Sequence, residues 1–324
     1  MRRHRHLLAV VGAAALLASG ASGALASPPA AHGRAHAPES ARAAAPGAGT
    51  FPVSVRTRYG TVVVRKRPTR IVSLSPTVTE MLFAIGAGRQ VVAVDNDSTY
   101  PKNAPRSGLS GYTPNVEAIA RYRPDLVVIS YDPTHPDLVE ALRLLGIPTL
   151  FVPAAADLAQ TYGEIATLGR VTGRTGAAQS EIASVRRRIA ALVRTVPHRA
   201  HPLTYFYEIG SGPLYTATGD TFVGSVLALA GLRNVAGASV GGNDYPQFSS
   251  EVVVRDNPTF VFVADGATVA AVASRPGWSA LGAVRAHRVV ELDPDIASRW
   301  GPRVVDLLRA VIAAVDKVPA AAAG

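Results

Sequence analysis

The chain has no cysteine in 324 residues. That absence excludes a disulfide framework, a thiolate nucleophile and a cysteine-ligated zinc site. It also excludes the lipid-modified N-terminal cysteine that tethers many exported proteins. Negative charge is scarce at the N-terminus, where Glu39 is set against Arg2, Arg3, Arg5, Arg34 and Arg42. Of the formal net charge of +10, the remaining +6 is spread over scattered arginines and reads as a solvated surface drawn to anionic ligands or an anionic envelope. Nowhere do basic and aromatic residues interleave densely enough for a nucleic-acid groove, so no nucleic-acid partner is expected.

Long apolar runs are missing as well. Leu7 to Ala18 is an uninterrupted LLAVVGAAALLA, too short to span a bilayer comfortably. It follows the basic Met1 to His6 and precedes the small-x-small site Ala24-Leu25-Ala26, so residues 1–26 read as a secretory signal. Ser27 stands where a lipoprotein would carry its cysteine. The expected product is exported, to the periplasm, cell envelope or medium, without a lipid anchor. Arg2-Arg3 suggests twin-arginine export, but the residues after it fit that route poorly. Residues 27–50, rich in Ala, Pro and Gly, lack apolar periodicity and read as a linker.

With 48% hydrophobic residues, the rest can bury one large core or two smaller ones. An internal repeat favours two. Tyr112 to Ser130, YTPNVEAIARYRPDLVVIS, returns as Phe248 to Ala264, FSSEVVVRDNPTFVFVA. Each copy runs from a polar capping residue through an acid and a short helical run to an Asn or Arg before Pro, then an apolar β-rich run. Glu117 to Pro124 and Glu251 to Pro258 have the same spacing. A separation of about 130 residues is too long for a solenoid and suggests two similar lobes.

In chain order, residues 52–64 read as a hairpin and 70–75 as a buried strand. Ser75-Pro76 starts a helix over 77–85, which Gly86 and Gly88 stop, and a strand follows over 91–95. The repeat then supplies a helix from about Asn115 and a strand to Ser130. A helix over 136–145 and a strand over 149–152 come next. Strands alternating with helices, and apolar throughout, imply a parallel α/β sheet covered on both faces. After Thr172-Gly173, apolar residues at 178, 182, 185, 189, 192, 193 and 196 predict one long amphipathic helix. Because it separates the two copies of the repeat, its natural role is a rigid connector. The second half replays the first with a strand over 203–208, a helix over 221–230, the repeat, a strand over 289–292 and a terminal helix over 302–315.

These motifs resemble the substrate-binding proteins of ABC importers for iron-siderophores and vitamin B12. RIVSLSPTVTEMLFAIGAG (70–88), TPNVEAIARYRPDLVVIS (113–130), LRLLGIPTLFVP (142–153) and Tyr245-Pro246-Gln247 ahead of Glu251 carry the resemblance, in the family's order. It implies two Rossmann-like lobes with mainly parallel sheets, bridged by a single long α-helix: a first lobe over 51–173, the connector over 174–197 and a second lobe over 198–324. It further implies a monomeric extracytoplasmic receptor, not an enzyme, that captures a metal chelate between its lobes and delivers it to a permease. In the family an acid on each lobe docks into arginine pockets of the permease dimer; the matching positions are Glu117 and Glu251. A carboxylate in a first helical turn also interacts favourably with the helix dipole, so the pairing across the repeat favours docking over a purely local role.

Ligands of open α/β sheets sit beyond the carboxyl ends of strands. The candidates are therefore Asn96, Asp97, Tyr112, Tyr131 and Asp132 from the first lobe. From the second they are Tyr207, Glu208, Tyr215, Asp295, Arg299 and Trp300. Tyr and Trp offer broad apolar faces with polar tips, suited to a corrin ring or an aromatic siderophore, and Arg299 could pair with an anionic chelate. The first-lobe motifs look closest to the cobalamin-binding branch, although Gly111-Tyr112 stands where that branch can place a Trp. A cobalamin-type corrinoid and a ferric siderophore are both expected ligands, and no cofactor or resident metal is expected.

Two other readings compete. Related receptors bind bare zinc or manganese, but His4, His6, His32 and His36 fall in the signal and linker, and His198, His201 and His287 sit near element ends. Only His135 is well placed, and one histidine is a weak metal site. Gly237-Ala238-Ser239-Val240-Gly241 matches the G-x-S-x-G of serine hydrolases, yet it lies among Gly, Asn, Asp and Pro, where the strand–turn–helix that motif needs is not expected.

Overall fold

A computed structural model describes residues 50–130, 136–239 and 241–319. The signal, and all but the last residue of the linker, lie outside the described residues. The hairpin β1 (Val53–Thr57) and β2 (Gly60–Val64) pairs antiparallel as a separate two-stranded sheet. The first lobe then assembles from β3 (Ile71–Leu74), α1 (Pro76–Ala84), β4 (Val91–Asp95), β5 (Arg106–Leu109), α2 (Val116–Ala120), β6 (Leu126–Ile129), α3 (Pro136–Leu144) and β7 (Thr149–Phe151). Its sheet has the order β5-β4-β3-β6-β7, all parallel.

Local chemistry sets the boundaries. Ser75 caps α1 by accepting from the Val78 N–H, with Pro76 in the first turn. Asn115 caps α2 through the Ala118 N–H at 2.8 Å. All four residues of β3 and of β6 are buried. Ile71, Leu126 and Val128 face one apolar cluster, while Val72, Leu74, Val127 and Ile129 face another, so the sheet is covered on both sides.

Two helices join the lobes: α4 (Leu158–Thr172) and α5 (Thr175–Val193), linked at Gly173 with φ +67. Along α5, Ala178 and Ile182 enter the first-lobe core, and Val185 and Ile189 enter that of the second. This is the bridging helix of the fold. α4 adds a crossing of its own, because Ile165, Leu168 and Val171 belong to the first core while Leu158 and Tyr162 pack against the second. The two helices pack closely at Gly169, where a Cβ would collide with that of Ala178, so glycine is required there. Among the described residues no helix is long and apolar enough to cross a membrane.

The second lobe comprises β8 (Leu203–Ser211), β9 (Leu214–Thr216), α6 (Phe222–Ala228), β10 (Leu232–Asn234), α7 (Ser250–Asp256) and β11 (Phe260–Val263). It continues through α8 (Val269–Ala273), α9 (Gly282–Arg285), β12 (Val289–Glu291), α10 (Pro294–Ala297) and α11 (Val304–Val315). The order β10-β8-β11-β12 is parallel, with β9 antiparallel to the end of β8. Tyr205, Tyr207, Phe260 and Phe262 fill one face of this sheet, and Phe206, Val261 and Val263 fill the other.

The repeat is preserved in the backbone. Arg123 and Asn257, each just before the repeat's proline, are left-handed at φ 46 and φ 41; Asn257 caps α7, and Arg123 follows α2 by three residues, its N–H bonded to the Ala120 carbonyl. The two β-runs then occupy equivalent places, β6 beside β3 and β11 beside β8. β5, β9, β10 and the helices α8 to α10 are additions that the sequence periodicity does not reveal.

Candidate functional site

In each lobe the strand order reverses beside the first strand, at β3/β6 and at β8/β11, and such switch points open a crevice at the carboxyl edge. Asn96 and Asp97 follow β4 directly; Asn96 is exposed and Asp97 half-buried. Tyr112 is 43% exposed. Its neighbour Gly111 is held against the sheet edge, since a Cβ there would lie 2.8 Å from the Leu74 carbonyl oxygen and 2.9 Å from the Asp95 carboxylate. Beneath this edge Asp95 is buried and accepts from the Ser98 hydroxyl; Ser98 in turn meets Thr79, and Thr79 bonds Ser73 at 2.9 Å. Loss of solvent pushes the Asp95 pKa up to about 6, only partly opposed by the Ser98 hydrogen bond. Tyr131, Asp132 and His135 lie outside the described residues.

On the second lobe, Tyr215 is half-buried on β9, in the hairpin that extends β8 past the carboxyl edge. The Asp244–Phe248 segment runs alongside: Thr216 N–H donates to the Pro246 carbonyl, Phe248 N–H to the Leu214 carbonyl, and Tyr215 bridges to Gln247. The hairpin carrying Tyr215 is therefore bonded to the segment that leads into α7 and Glu251.

Five expected cleft residues are placed elsewhere. Tyr207 is 1% exposed, packs in the core and donates its hydroxyl to the Ala297 carbonyl at 3.2 Å. Its residue type suits a ligand face, but the alternation of β8 turns it inward with Tyr205. Glu208 is fully buried, with both carboxylate oxygens held by Arg275 at 2.6 Å, and that guanidinium lies over the Trp278 ring. Arg299 and Trp300 lie in the seam between lobes. Arg299 is buried against Glu80 of α1 at 2.6 Å, and it donates to the Asp97 carbonyl and Thr99 Oγ1, both at 3.1 Å. Trp300 packs against both lobe cores and donates its indole N–H to Glu164 on α4 at 2.9 Å. Asp295 joins them, accepting from Thr99 Oγ1 at 2.6 Å and pairing with Arg299 at 3.0 Å.

Glu80, Thr99, Glu164 and Arg303 complete the seam and are absent from the sequence reading. Arg303 donates its Nε–H to Glu80 at 2.9 Å and lies over the Tyr100 ring. One signal could have found the group: Glu80 is a single acid within the apolar run PTVTEMLFA, and a carboxylate buried there requires a cation. Burial pushes Glu164 up to about 8, opposed in part by the Trp300 N–H.

Outside the cleft, Glu117 and Glu251 are exposed in the first turns of α2 and α7. The Ser249 hydroxyl bonds the Glu251 carboxylate and holds it below the usual carboxylate range. Ser239 sits in the loop between β10 and α7; its hydroxyl is paired with Asp244 and its N–H with Asp220, without the strand-to-helix elbow of a nucleophile. Among the described residues, no three His, Asp or Glu side chains gather where they could hold a metal ion.

Two α/β lobes on a helical bridge, with facing carboxyl edges and a sealed seam, define the class of two-lobed solute-binding proteins. Residues 71–296 match the model of the periplasmic binding protein family, and the chain belongs to that family. It is 32% identical over 264 residues to an uncharacterised ABC transporter substrate-binding lipoprotein of Bacillus subtilis, covering 79% of this chain and 83% of that protein. It is 34% identical over 269 residues to a cobalamin-binding protein of Halobacterium salinarum, covering 81% and 69%. Among solved structures, a periplasmic haem-binding protein of Roseiflexus aligns with a TM-score of 0.67 at 27% identity, covering 76% and 99%. The family is extracytoplasmic, and its ABC-linked members deliver ligand to a membrane permease.

Proposed function

We propose that this chain is a monomeric receptor that binds a cobalamin-type corrinoid between its lobes, without turning it over, and presents it to a permease through Glu117 and Glu251. The observation that carries the docking half is the repeated geometry: two exposed carboxylates, each in the first turn of a short helix with a left-handed residue immediately before the proline that follows it. The hydrogen bond from Ser249 favours the anionic form of Glu251, which is the form an arginine recognises. Corrinoid is favoured over other chelates by the 34% identity to the cobalamin-binding relative. Asn96, Asp97, Tyr112 and Tyr215 form the ligand-facing set, with two aromatic faces for an extended macrocycle and polar groups for its side-chain amides.

The ligand test is fluorescence quenching of the purified chain against cyanocobalamin, haem and a ferric hydroxamate. Tight one-to-one binding of cyanocobalamin alone supports the reading; a preference for haem or the ferric hydroxamate replaces the corrinoid with that chelate. The docking test reverses both charges, Glu117→Arg with Glu251→Arg. Loss of permease binding with ligand affinity retained is expected, and unchanged transport by the double variant rejects the docking role.

A further inference from the structure

Leu144 and Leu145 end α3 with 73% and 56% of their surfaces exposed, well above the other exposed large apolar residues of the described chain. They are not part of the helix's core stripe, which is Leu138 and Leu142. Instead they join Val116, Glu117, Ala120 and Arg121 of the α2 region in lining an open hollow of about 710 Å³. Among the described residues Glu117 makes no ion pair, so the hollow presents a free carboxylate beside an apolar ledge.

The repeat supplies an internal control. Gly146 N–H bonds the Arg143 carbonyl and Ile147 N–H the Leu142 carbonyl; in the second lobe His287 N–H bonds Val284 and Arg288 N–H bonds Ala283 in the same pattern. Gly146 and His287 are both left-handed, at φ 71 and φ 54. The positions matching Leu144 and Leu145 are thus Arg285 and Ala286, which are also exposed. The same helix end is built with a polar and a small residue in one lobe and two leucines in the other, so the fold does not require the leucines there. Adjacent exposed leucines beside an unpaired acid are suited to an interface.

We propose that the first-lobe docking face is a composite, in which Leu144 and Leu145 seat an apolar segment of the permease whose arginine pairs with Glu117. This rests on the docking role of Glu117 and adds the apolar half of the contact, which the second lobe lacks. The carboxylate contributes a salt-sensitive part of the affinity and the ledge a salt-insensitive part.

The test uses the full mature chain and the source organism's ABC permease complex in nanodiscs, with binding measured at low and high salt. Three variants are compared with the parent: Leu144→Ser with Leu145→Ser, Glu117→Gln, and Glu117→Gln with Glu251→Gln. Thermal unfolding verifies that each is folded. The leucine variant is expected to weaken permease binding about tenfold or more at both salt concentrations, and Glu117→Gln mainly at low salt. If the glutamate variants lose binding while the leucine variant matches the parent, the ledge is rejected and the docking reading stands. If the glutamate variants bind like the parent, docking through these carboxylates is rejected and the composite with it. A dimeric parent that the leucine variant converts to monomer, with permease binding unchanged, assigns the ledge to a second copy of the chain and overturns the proposal.

Discussion

Glu80 and Arg299 stand 219 residues apart in sequence and meet at 2.6 Å across the lobe boundary, both buried. Arg303 shares the same carboxylate, and Asp295 offsets part of the extra positive charge through Arg299. Three charged groups from the segment after β12 are therefore clamped on the first lobe, with one acid at the centre. Breaking a buried pair from one side strands the remaining charge, which costs more than the pair itself is worth. Such a seam fixes the angle between the two carboxyl edges.

Glu80→Gln is accordingly expected to lower the unfolding free energy by about 3 to 5 kcal/mol. Chemical denaturation measures this directly. A loss under about 1 kcal/mol, the range of an exposed pair, would mean that solvent reaches the seam.

Glu164 gives the seam a pH dependence. Burial raises its folded-state pKa from the ordinary glutamate range to about 8, so the folded protein favours the protonated acid. The stability this confers is complete below the unfolded pKa and is lost progressively as pH rises from about 4.5 through 8. Glu164→Gln keeps an uncharged partner near the Trp300 indole and is expected to flatten that part of the Tm against pH curve. An unchanged slope between pH 5 and 8 would assign the dependence to other groups, with buried Asp95 the first to examine.

The cleft assignments separate by a paired substitution. Tyr207→Phe removes one buried hydrogen bond and is expected to cost about 0.5 to 1.5 kcal/mol of stability while leaving cyanocobalamin affinity unchanged. Tyr112→Ala, at an exposed position on the first-lobe edge, should weaken binding about tenfold or more. Equal affinities in the two variants would move the ligand away from Tyr112.

The lobes, the bridging α5 and the paired acids were legible in the sequence because each follows from local pattern: four apolar residues in a strand, apolar spacing of three or four in a helix, the same acid-to-proline spacing in two places. The seam was not legible. Arg299 and Trp300 have the residue types of a chelate site, and nothing local states that Arg299 faces Glu80, far away in sequence. Tyr207 and Glu208 were misplaced for a related reason: proximity to a carboxyl edge selects the right strand end but does not say which side chains turn into the core. The expected first lobe, ending at 173, takes in all of α4; in the structure Leu158 of that helix packs on the second core and Tyr162 on both.

The left-handed residues that follow α2 and cap α7 offer the last test. Arg123 and Asn257 occupy the same backbone state, at φ 46 and φ 41, but tolerate it differently. Asparagine visits this region readily, whereas for other side chains the Cβ meets the carbonyl oxygen at a cost of about 1 to 2 kcal/mol. Arg123 is exposed, and its role in the fold is through its backbone carbonyl, which accepts from Arg70 Nε at 3.2 Å and would persist without the side chain. Glycine removes the clash but gives the unfolded chain more freedom, so the two effects partly cancel. Arg123→Gly is thus expected to stabilise the protein by about 0.5 to 1 kcal/mol, whereas Asn257→Gly, which also removes the Oδ1 that accepts from the Gly282 N–H at 2.8 Å, is expected to destabilise it by about 0.5 to 1.5 kcal/mol. Equilibrium denaturation of the two variants resolves the difference. Destabilisation by Arg123→Gly would show that the arginine side chain, and not the backbone turn, holds the end of the Glu117 helix.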